Sequence, residues 1–263
     1  MSNRRRRDAR RRKVGNPVYG NFNVRCFTRS KLGEETNADA FDFNLEKGRF
    51  TIADGVSRSF RPHLWSRHVC RSLAEEGQEL NRNTCHVLAR KFSQDKQPLP
   101  WNLEELRDRG SHATVLVLDL IRRRSRMIAE VKSIGDCAFA ITSQDGKTIS
   151  RAWPFKHIGE MPFATAAISS VSPFLMGSEI LSVRLELKPG ARVLLMTDAM
   201  ARYLIASDLC LNRIFPFLFN VIQFEDWADK MREDEMIDDD DLTLLEISFD
   251  ARPLQFGGAA THV

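Results

Sequence analysis

Residues 113–142 have the sequence ATVLVLDLIRRRSRMIAEVKSIGDCAFAIT, and this block decides the fold. Apolar and β-branched residues dominate its segments, and arginines or a Gly-Asp pair separate one segment from the next. Apolar runs of this length, bounded by charged or turn residues, are typical of strands. The predicted strands cover 113–121, 125–134, 137–142 and, after a turn at 144–147, 148–153. We therefore predict consecutive antiparallel strands in the middle of the chain.

Further elements are predicted on both sides of this block. Strands are expected over 24–28, 50–53, 180–187, 192–197 and 242–249, with Lys188-Pro189-Gly190-Ala191 as a hairpin signal. Helices are expected over 62–79, 84–92, 199–205, 211–222 and 225–232, and a long ordered loop or flap over 159–177. Helices that flank a central β block favour an α+β fold, a four-layer α-β-β-α sandwich in which helices cover two antiparallel sheets.

Composition limits the class of protein. A chain of 263 residues with 43% hydrophobic content can bury one sizeable core. No stretch approaches the roughly 20 apolar residues that a membrane helix needs, so no membrane span is expected. The five cysteines are scattered and form no C-x-x-C pair, which is typical of buried thiols in a reducing compartment. We therefore expect a cytoplasmic location.

The positive charge is concentrated at the start of the chain. Seven arginines and one lysine within residues 4–13 oppose only Asp8, so this segment carries about +7 and the remainder about −3. No apolar stretch follows as it would in a signal peptide. Residues 1–20 are predicted to be a disordered basic tail, either solubilising or a contact for an acidic partner or nucleic acid. Residues 251–263 are expected to be a frayed C-terminal tail.

Several predicted strands end or begin at aspartate. Asp54 follows Ile52-Ala53, Asp136 follows Ile134-Gly135, Asp198 follows Leu195-Met196-Thr197, and Asp240 and Asp241 precede Leu242. Carboxylates partly withdrawn from water need compensating cations if they converge. An all-oxygen set favours Mg²⁺ or Mn²⁺ over zinc.

Each aspartate also has an ordinary structural interpretation. Asp54-Gly55 is a common turn sequence, Asp198 is well placed to cap a helix, and residues 238–241 would suit a solvated acidic loop. The individual signals are therefore weak, and their order and spacing carry the argument.

The ordered set resembles the metal-dependent type 2C protein phosphatase (PPM) family, in its bacterial form, over residues 21–250. The matching motifs are Asn37-Ala38-Asp39-Ala40-Phe41, Ile52-Ala53-Asp54-Gly55, Gly110-Ser111-His112-Ala113-Thr114, Ile134-Gly135-Asp136, Leu195-Met196-Thr197-Asp198 and Asp240-Asp241-Leu242-Thr243. The resemblance implies two stacked antiparallel sheets flanked by helices, which agrees with the architecture predicted from the residues. It also implies hydrolysis of phosphoserine and phosphothreonine in proteins, with a cognate Ser/Thr kinase as the opposing enzyme.

The resemblance assigns roles to individual positions. Asp54 would bridge two Mn²⁺ or Mg²⁺ ions, the Gly55 carbonyl would bind one of them, and Asp198 and Asp240 would hold the other. Asp39 would hydrogen-bond metal-bound water, and Asp136 would bind a weaker third ion. The implied reaction is attack on phosphorus by a hydroxide shared between the two ions.

The chain departs from the family pattern near the phosphate. Ala38 stands where an acidic residue is usual, and no arginine stands a few residues upstream of it. Lys31 and Arg58 are the candidates for binding phosphate in its place. These departures support an alternative to an active phosphatase, a catalytically weak pseudophosphatase that acts as a regulatory binding module. The arginine-rich tail supports a further alternative, a nucleic-acid-associated protein in which the domain is secondary.

Overall fold

The structure is a computed structural model that describes residues 22–93, 101–123, 126–145, 148–154, 166–172, 179–206 and 221–249. The helices in these ranges are α1 Pro62–Ala74, α2 Arg82–Ser93, α3 Trp101–Arg109, α4 Asp198–Ala206 and α5 Val221–Glu233. The strands are β1 Phe22–Arg29, β2 Ala40–Asn44, β3 Arg49–Gly55, β4 His112–Arg123, β5 Arg126–Ile134, β6 Ala138–Thr142, β7 Ile149–Trp153, β8 Ile168–Ser169, β9 Leu181–Leu187, β10 Val193–Met196 and β11 Leu242–Phe249. Over those residues, no helix is both long enough and apolar enough to cross a bilayer.

The strands form two antiparallel sheets, as predicted. A five-stranded sheet has the order β1-β11-β10-β6-β7. The other sheet has the order β2-β3-β4-β5-β9, with β8 paired to the start of β4. The chain therefore returns to each sheet several times, and both depend on pairings between distant segments.

The alternation of side chains along each strand creates three apolar layers. In β10, Val193 and Leu195 face the space between the sheets, whereas Leu194 and Met196 face α4 and α5. The inner layer combines residues of both sheets, among them Phe50, Ile52, Leu116, Leu118, Phe139, Leu245 and Ile247. On the outer face of the six-stranded sheet, α1 and α2 supply Trp65, Val69, Leu73 and Leu88. This is the predicted four-layer α-β-β-α sandwich of the α+β class.

The predicted central run of consecutive strands is divided between the sheets. β4 and β5 pair in the six-stranded sheet, and β6 and β7 pair in the five-stranded sheet. The chain crosses at Gly135, whose φ of +94° favours glycine, and a Cβ there would lie 2.5 Å from Thr114 Cβ. The prediction that these consecutive strands are antiparallel neighbours was therefore wrong between β5 and β6, because alternation alone does not specify the sheet that each strand joins.

The hairpin predicted at residues 188–191 was also wrong. β9 pairs with β5, whereas β10 pairs with β6 and β11, so the Pro-Gly turn connects the two sheets. A turn signal fixes the local backbone and leaves the next pairing open.

Two described elements were not predicted, namely β2 and α3. The helix predicted over 62–79 ends earlier, at Ala74. Most of the predicted flap at 159–177, most of the helix predicted at 211–222, and both terminal tails lie outside the described residues.

Candidate active site

The predicted aspartates come from both sheets. Asp39 precedes β2 and Asp54 lies at the end of β3, both in the six-stranded sheet, while Asp198 follows β10 and Asp240 precedes β11 in the five-stranded sheet. Asp136 lies on the crossover that joins the two sheets. The five carboxylates lie close enough that the charges of the other four all raise the pKa of Asp54.

Asp54 ends a buried strand next to a glycine that nothing larger could replace. A Cβ on Gly55 would lie 2.7 Å from the Ala38 carbonyl oxygen and 2.9 Å from Pro62 Cβ. The Gly55 N–H donates to that Ala38 carbonyl at 3.2 Å. This close approach holds the end of β3 against the segment that leads into β2, and so places Asp54 beside Asp39. Burial, followed by repulsion from Asp39, raises the pKa of Asp54 well above its usual value.

Asp39 is buried at the junction of the sheets. Its Oδ2 accepts a hydrogen bond from Thr197 Oγ1 at 2.9 Å, and Thr197 Oγ1 in turn accepts one from the Thr243 N–H at 3.0 Å. Its Oδ1 is buried without a hydrogen-bond partner among the described residues. Burial and then repulsion from Asp241 raise the pKa of Asp39. A buried carboxylate oxygen in that position has the chemistry of an acceptor for a water or a cation.

Asp198 begins α4, as the capping interpretation also predicted. Its Oδ1 accepts a hydrogen bond from the Ala199 N–H at 2.5 Å, and its Oδ2 pairs with Arg202 at 3.0 Å. Burial, and then repulsion from Asp136, raise the pKa of Asp198 to about 6. The residue therefore lies in the first turn of the helix and also belongs to the carboxylate cluster, so its place at the helix start does not exclude a role in the site.

The acidic run at 238–241 is anchored to the chain between β1 and β2 and is only partly solvated. Asp241 is buried and accepts hydrogen bonds from the N–H groups of Lys31 at 2.9 Å and Ala38 at 2.7 Å. Asp239 accepts one from the Leu32 N–H at 2.9 Å. Asp240, between them, has a side chain that is 42% exposed. Its Oδ1 accepts a hydrogen bond from the Asp241 N–H at 2.9 Å and lies 3.5 Å from Lys31 Nζ.

The two candidate phosphate-binding residues differ in their surroundings. Lys31 Nζ lies 2.9 Å from Ser57 Oγ and 3.5 Å from Asp240 Oδ1, so it lies at the edge of the cluster. Arg58 lies in the exposed turn after Asp54-Gly55, and no hydrogen bond or ion pair joins it to another described residue.

The oxygen-only donor set suits a hard divalent cation, which would relieve the mutual repulsion. Within the described ranges, no three of the His, Cys, Asp and Glu side chains are grouped so that they could hold an ion as they stand. Asp198 and Asp240 are paired with Arg202 and Lys31, which supply positive charge to the cluster. Asp39 Oδ1 nevertheless stays buried without a hydrogen-bond partner among the described residues, and burial together with mutual repulsion raises the pKa of Asp39, Asp54 and Asp198. The residues therefore fit divalent metal.

Comparison with solved structures identifies the fold. The serine/threonine phosphatase Stp1 of Staphylococcus aureus superposes with a TM-score of 0.54 at 12% identity, over 86% of this chain and 94% of that one. The serine/threonine phosphatase PstP of Mycobacterium tuberculosis gives 0.56 at 14% identity, over 87% and 99%. The chain has the PPM phosphatase fold. RsbX, solved in complex with magnesium, also matches, with a TM-score of 0.52 at 14% identity over 87% and 96%. By sequence, no protein-family model and no curated protein matches the chain.

Within this PPM fold, three contributors to the site were missed from the sequence. Thr197 links Asp39 to the other sheet, and a threonine between an apolar strand and a site aspartate is a signal that could have found it. Arg202 follows Asp198 by four residues, a spacing that places it on the same helix face. Arg232 contacts the main chain of Asp240, and no sequence signal marks it.

Proposed function

We propose that this protein belongs to the PPM family and hydrolyses phosphoserine and phosphothreonine in proteins with Mn²⁺ or Mg²⁺ as cofactor. The observation that carries the proposal is the convergence of Asp39, Asp136, Asp198 and Asp240 on Asp54, from both sheets of a phosphatase fold. An aspartate that serves only to form a turn does not require four other carboxylates close to it.

Each carboxylate has a role in this proposal. Asp54, the Gly55 carbonyl, Asp198 and Asp240 would hold two divalent ions, and Asp136, which is the strongest repulsive neighbour of Asp198, would join Asp198 at a third. Bound ions would activate a water molecule as the nucleophile and neutralise charge on the phosphoryl oxygens. Asp39, fixed by Thr197, would accept a proton or hydrogen bond from that water through its unpartnered Oδ1.

Substrate phosphate would be bound by Lys31 and, when substrate is present, by Arg58. Lys31 is already at the edge of the cluster, and its Nζ donates to Ser57 Oγ in the exposed turn after Asp54-Gly55. Arg58 is one residue further along the same exposed turn and has a free guanidinium among the described residues. A guanidinium can bind two phosphoryl oxygens at once.

A catalytically weak pseudophosphatase that acts as a regulatory module is the second candidate. The observation that favours it is the pairing of Asp198 with Arg202 and of Asp240 with Lys31, because each cation neutralises a ligand that the enzyme needs. Each pair has one partner that is about a third or more exposed, Arg202 at 34% and Asp240 at 42%, so divalent ions should compete with the cation in both.

The deciding experiment is turnover of an aryl phosphate and of a phosphothreonine peptide by the full chain, with Mn²⁺, Mg²⁺ or EDTA. An active phosphatase hydrolyses both substrates with metal and neither with EDTA, and the Asp54→Asn variant is inactive throughout. Binding of Mn²⁺ without turnover would favour the regulatory module. Full activity after exhaustive chelation would refute the metal-dependent mechanism.

The biological setting that we propose follows from the same assignment. The substrate would be a phosphoprotein made by a cognate Ser/Thr kinase in a bacterial cytoplasm. The arginine-rich residues 4–13 would contact an acidic protein or nucleic acid, and binding to nucleic acid would weaken steeply with salt.

A further inference from the structure

Arg232, near the end of α5, is a buried arginine whose Nη1 and Nη2 groups donate to main-chain carbonyls, while its Nε makes no hydrogen bond among the described residues and lies 3.9 Å from Asp239 Oδ1. Its side chain is 1% exposed. Nη1 donates to the Ser30 carbonyl at 2.9 Å, and Nη2 donates to the Asp240 carbonyl at 2.5 Å and to the Arg29 carbonyl at 3.4 Å. Asp229 Oδ1 lies 3.4 Å from Nη1. One side chain thus ties the end of β1 to the residue that precedes β11 by two positions.

Those contacts fall where the backbone ladder has ended. The pairing of β1 with β11 stops at Arg29 and Leu242, so Ser30 and Asp240 lie outside the sheet. The acidic run binds the same segment through Asp239 and Asp241, which accept hydrogen bonds from the N–H groups of Leu32 and Lys31. Arg232 supplies the donors for the carbonyls, and the aspartates supply the acceptors for the amides. The main chain of Asp240 is therefore held by Arg232 at its own carbonyl and by the hydrogen bonds of its two neighbours, Asp239 and Asp241.

We propose that Arg232 is a positioning residue that fixes the main chain of Asp240 and thereby pre-organises this ligand for divalent metal. The inference rests on the proposed function. A half-exposed aspartate in a turn would lose conformational freedom on binding an ion, and a backbone already held in place reduces that loss. A buried guanidinium costs free energy to desolvate, and its planar fork is suited to bridging several oxygens where a lysine ammonium is not.

The test compares Arg232→Lys with Arg29→Lys in the full chain. Arg29 shares the Asp229 partner at 2.5 Å, and its side chain makes no contact with the acidic run among the described residues. Calorimetric titration of the metal-free protein with Mn²⁺ should show affinity weakened about tenfold in Arg232→Lys and unchanged in Arg29→Lys. Turnover at saturating Mn²⁺ should be largely recovered in Arg232→Lys, because the residue acts through ligand placement.

The outcomes distinguish the inference from the proposed function. If the wild-type protein binds no Mn²⁺, both fail. If it binds Mn²⁺ and Arg232→Lys, folded by its melting curve, binds it equally well, only the positioning role is overturned. Should Arg232→Lys fail to fold, Asp239→Ala and Asp238→Ala decide, because both lose one exposed carboxylate and only Asp239 accepts from the Leu32 N–H and lies 3.9 Å from Arg232 Nε. Weaker Mn²⁺ binding in Asp239→Ala alone supports the inference, and equal binding in the two overturns it.

Discussion

Asp241 and Ala38, which are 203 positions apart in sequence, are joined by a hydrogen bond of 2.7 Å from the Ala38 N–H to Asp241 Oδ2. The other oxygen of Asp241 accepts from the Lys31 N–H. Ala38 is the position where the PPM pattern usually has an acidic residue. Asp241 therefore places the segment that carries Asp39, and its negative charge lies close enough to raise the pKa of Asp39.

The first prediction concerns Asp241→Asn. The resemblance to the PPM family implies a mild effect on turnover, because that family commonly has asparagine there; the effect on stability is a separate matter. In the structure the two carboxylate oxygens accept from two different N–H groups, and an asparagine can replace only one of them and turns its NH₂ toward the other. We expect the free energy of unfolding to fall by about 1–3 kcal/mol. Urea unfolding of the EDTA-treated protein measures this, with Asp239→Asn as the control, and equal stability of the two variants would contradict it.

The second prediction concerns the ligands themselves. Asp54→Asn, Asp198→Asn and Asp240→Asn should each lower turnover by orders of magnitude, because each removes a charged oxygen from the ions. Asp136→Asn should have an intermediate effect. Turnover of an aryl phosphate against Mn²⁺ concentration provides the measurement, and Asp238→Asn is the control for loss of one nearby charge. Retention of activity in all four variants would refute the phosphatase assignment.

The third prediction is the pH dependence of the metal-free protein. A carboxyl group whose pKa is higher in the folded state stabilises the fold when protonated, and this stabilisation is lost as the pH rises through the folded pKa. For Asp198 that window runs from its ordinary 3.8 to about 6. In EDTA, the free energy of unfolding should therefore fall further between pH 4 and pH 7 in the wild type than in Asp198→Asn. Identical pH profiles from urea unfolding would show that Asp198 is not perturbed.

The fourth prediction is that Gly55→Ala is damaging. The new Cβ would lie 2.7 Å from the Ala38 carbonyl oxygen and 2.9 Å from Pro62, and neither backbone can move without displacing Asp54 or α1. We expect a loss of about 2 kcal/mol in stability and a loss of activity. Gly33→Ala is the control, because a Cβ there meets nothing within 4 Å and only its φ of +77° is unfavourable. Thermal melts of both variants test the difference.

The fifth prediction is that deletion of residues 1–13 leaves turnover of a small substrate and the melting temperature nearly unchanged. The segment has too few apolar residues to join a core. A large fall in the melting temperature after truncation would show that the segment is docked on the domain.

The sequence predicted the fold class, and it brought the site aspartates into one hypothesis because their order and spacing along the chain resemble the PPM pattern. It did not predict β2, since Asp42 and Asn44 break its short apolar pattern. Nor did it predict α3, where leucine and tryptophan are the only large apolar residues among nine. The burial of Asp241 and the role of Arg232 depend on which distant segments meet, and no local spacing encodes that.

The division of the aspartates between the sheets has a consequence for how activity responds to damage. Neither sheet contains all of the proposed ligands, so in this proposal metal affinity depends on the docking of the two sheets as well as on the presence of the ligands. A substitution deep in the inner layer, such as Leu195→Ala, should then impair metal binding from a distance, although it touches no carboxylate. For the same reason a fragment carrying one sheet would retain no partial activity, and complementation by separately produced halves would restore it only if they reassemble the whole sandwich.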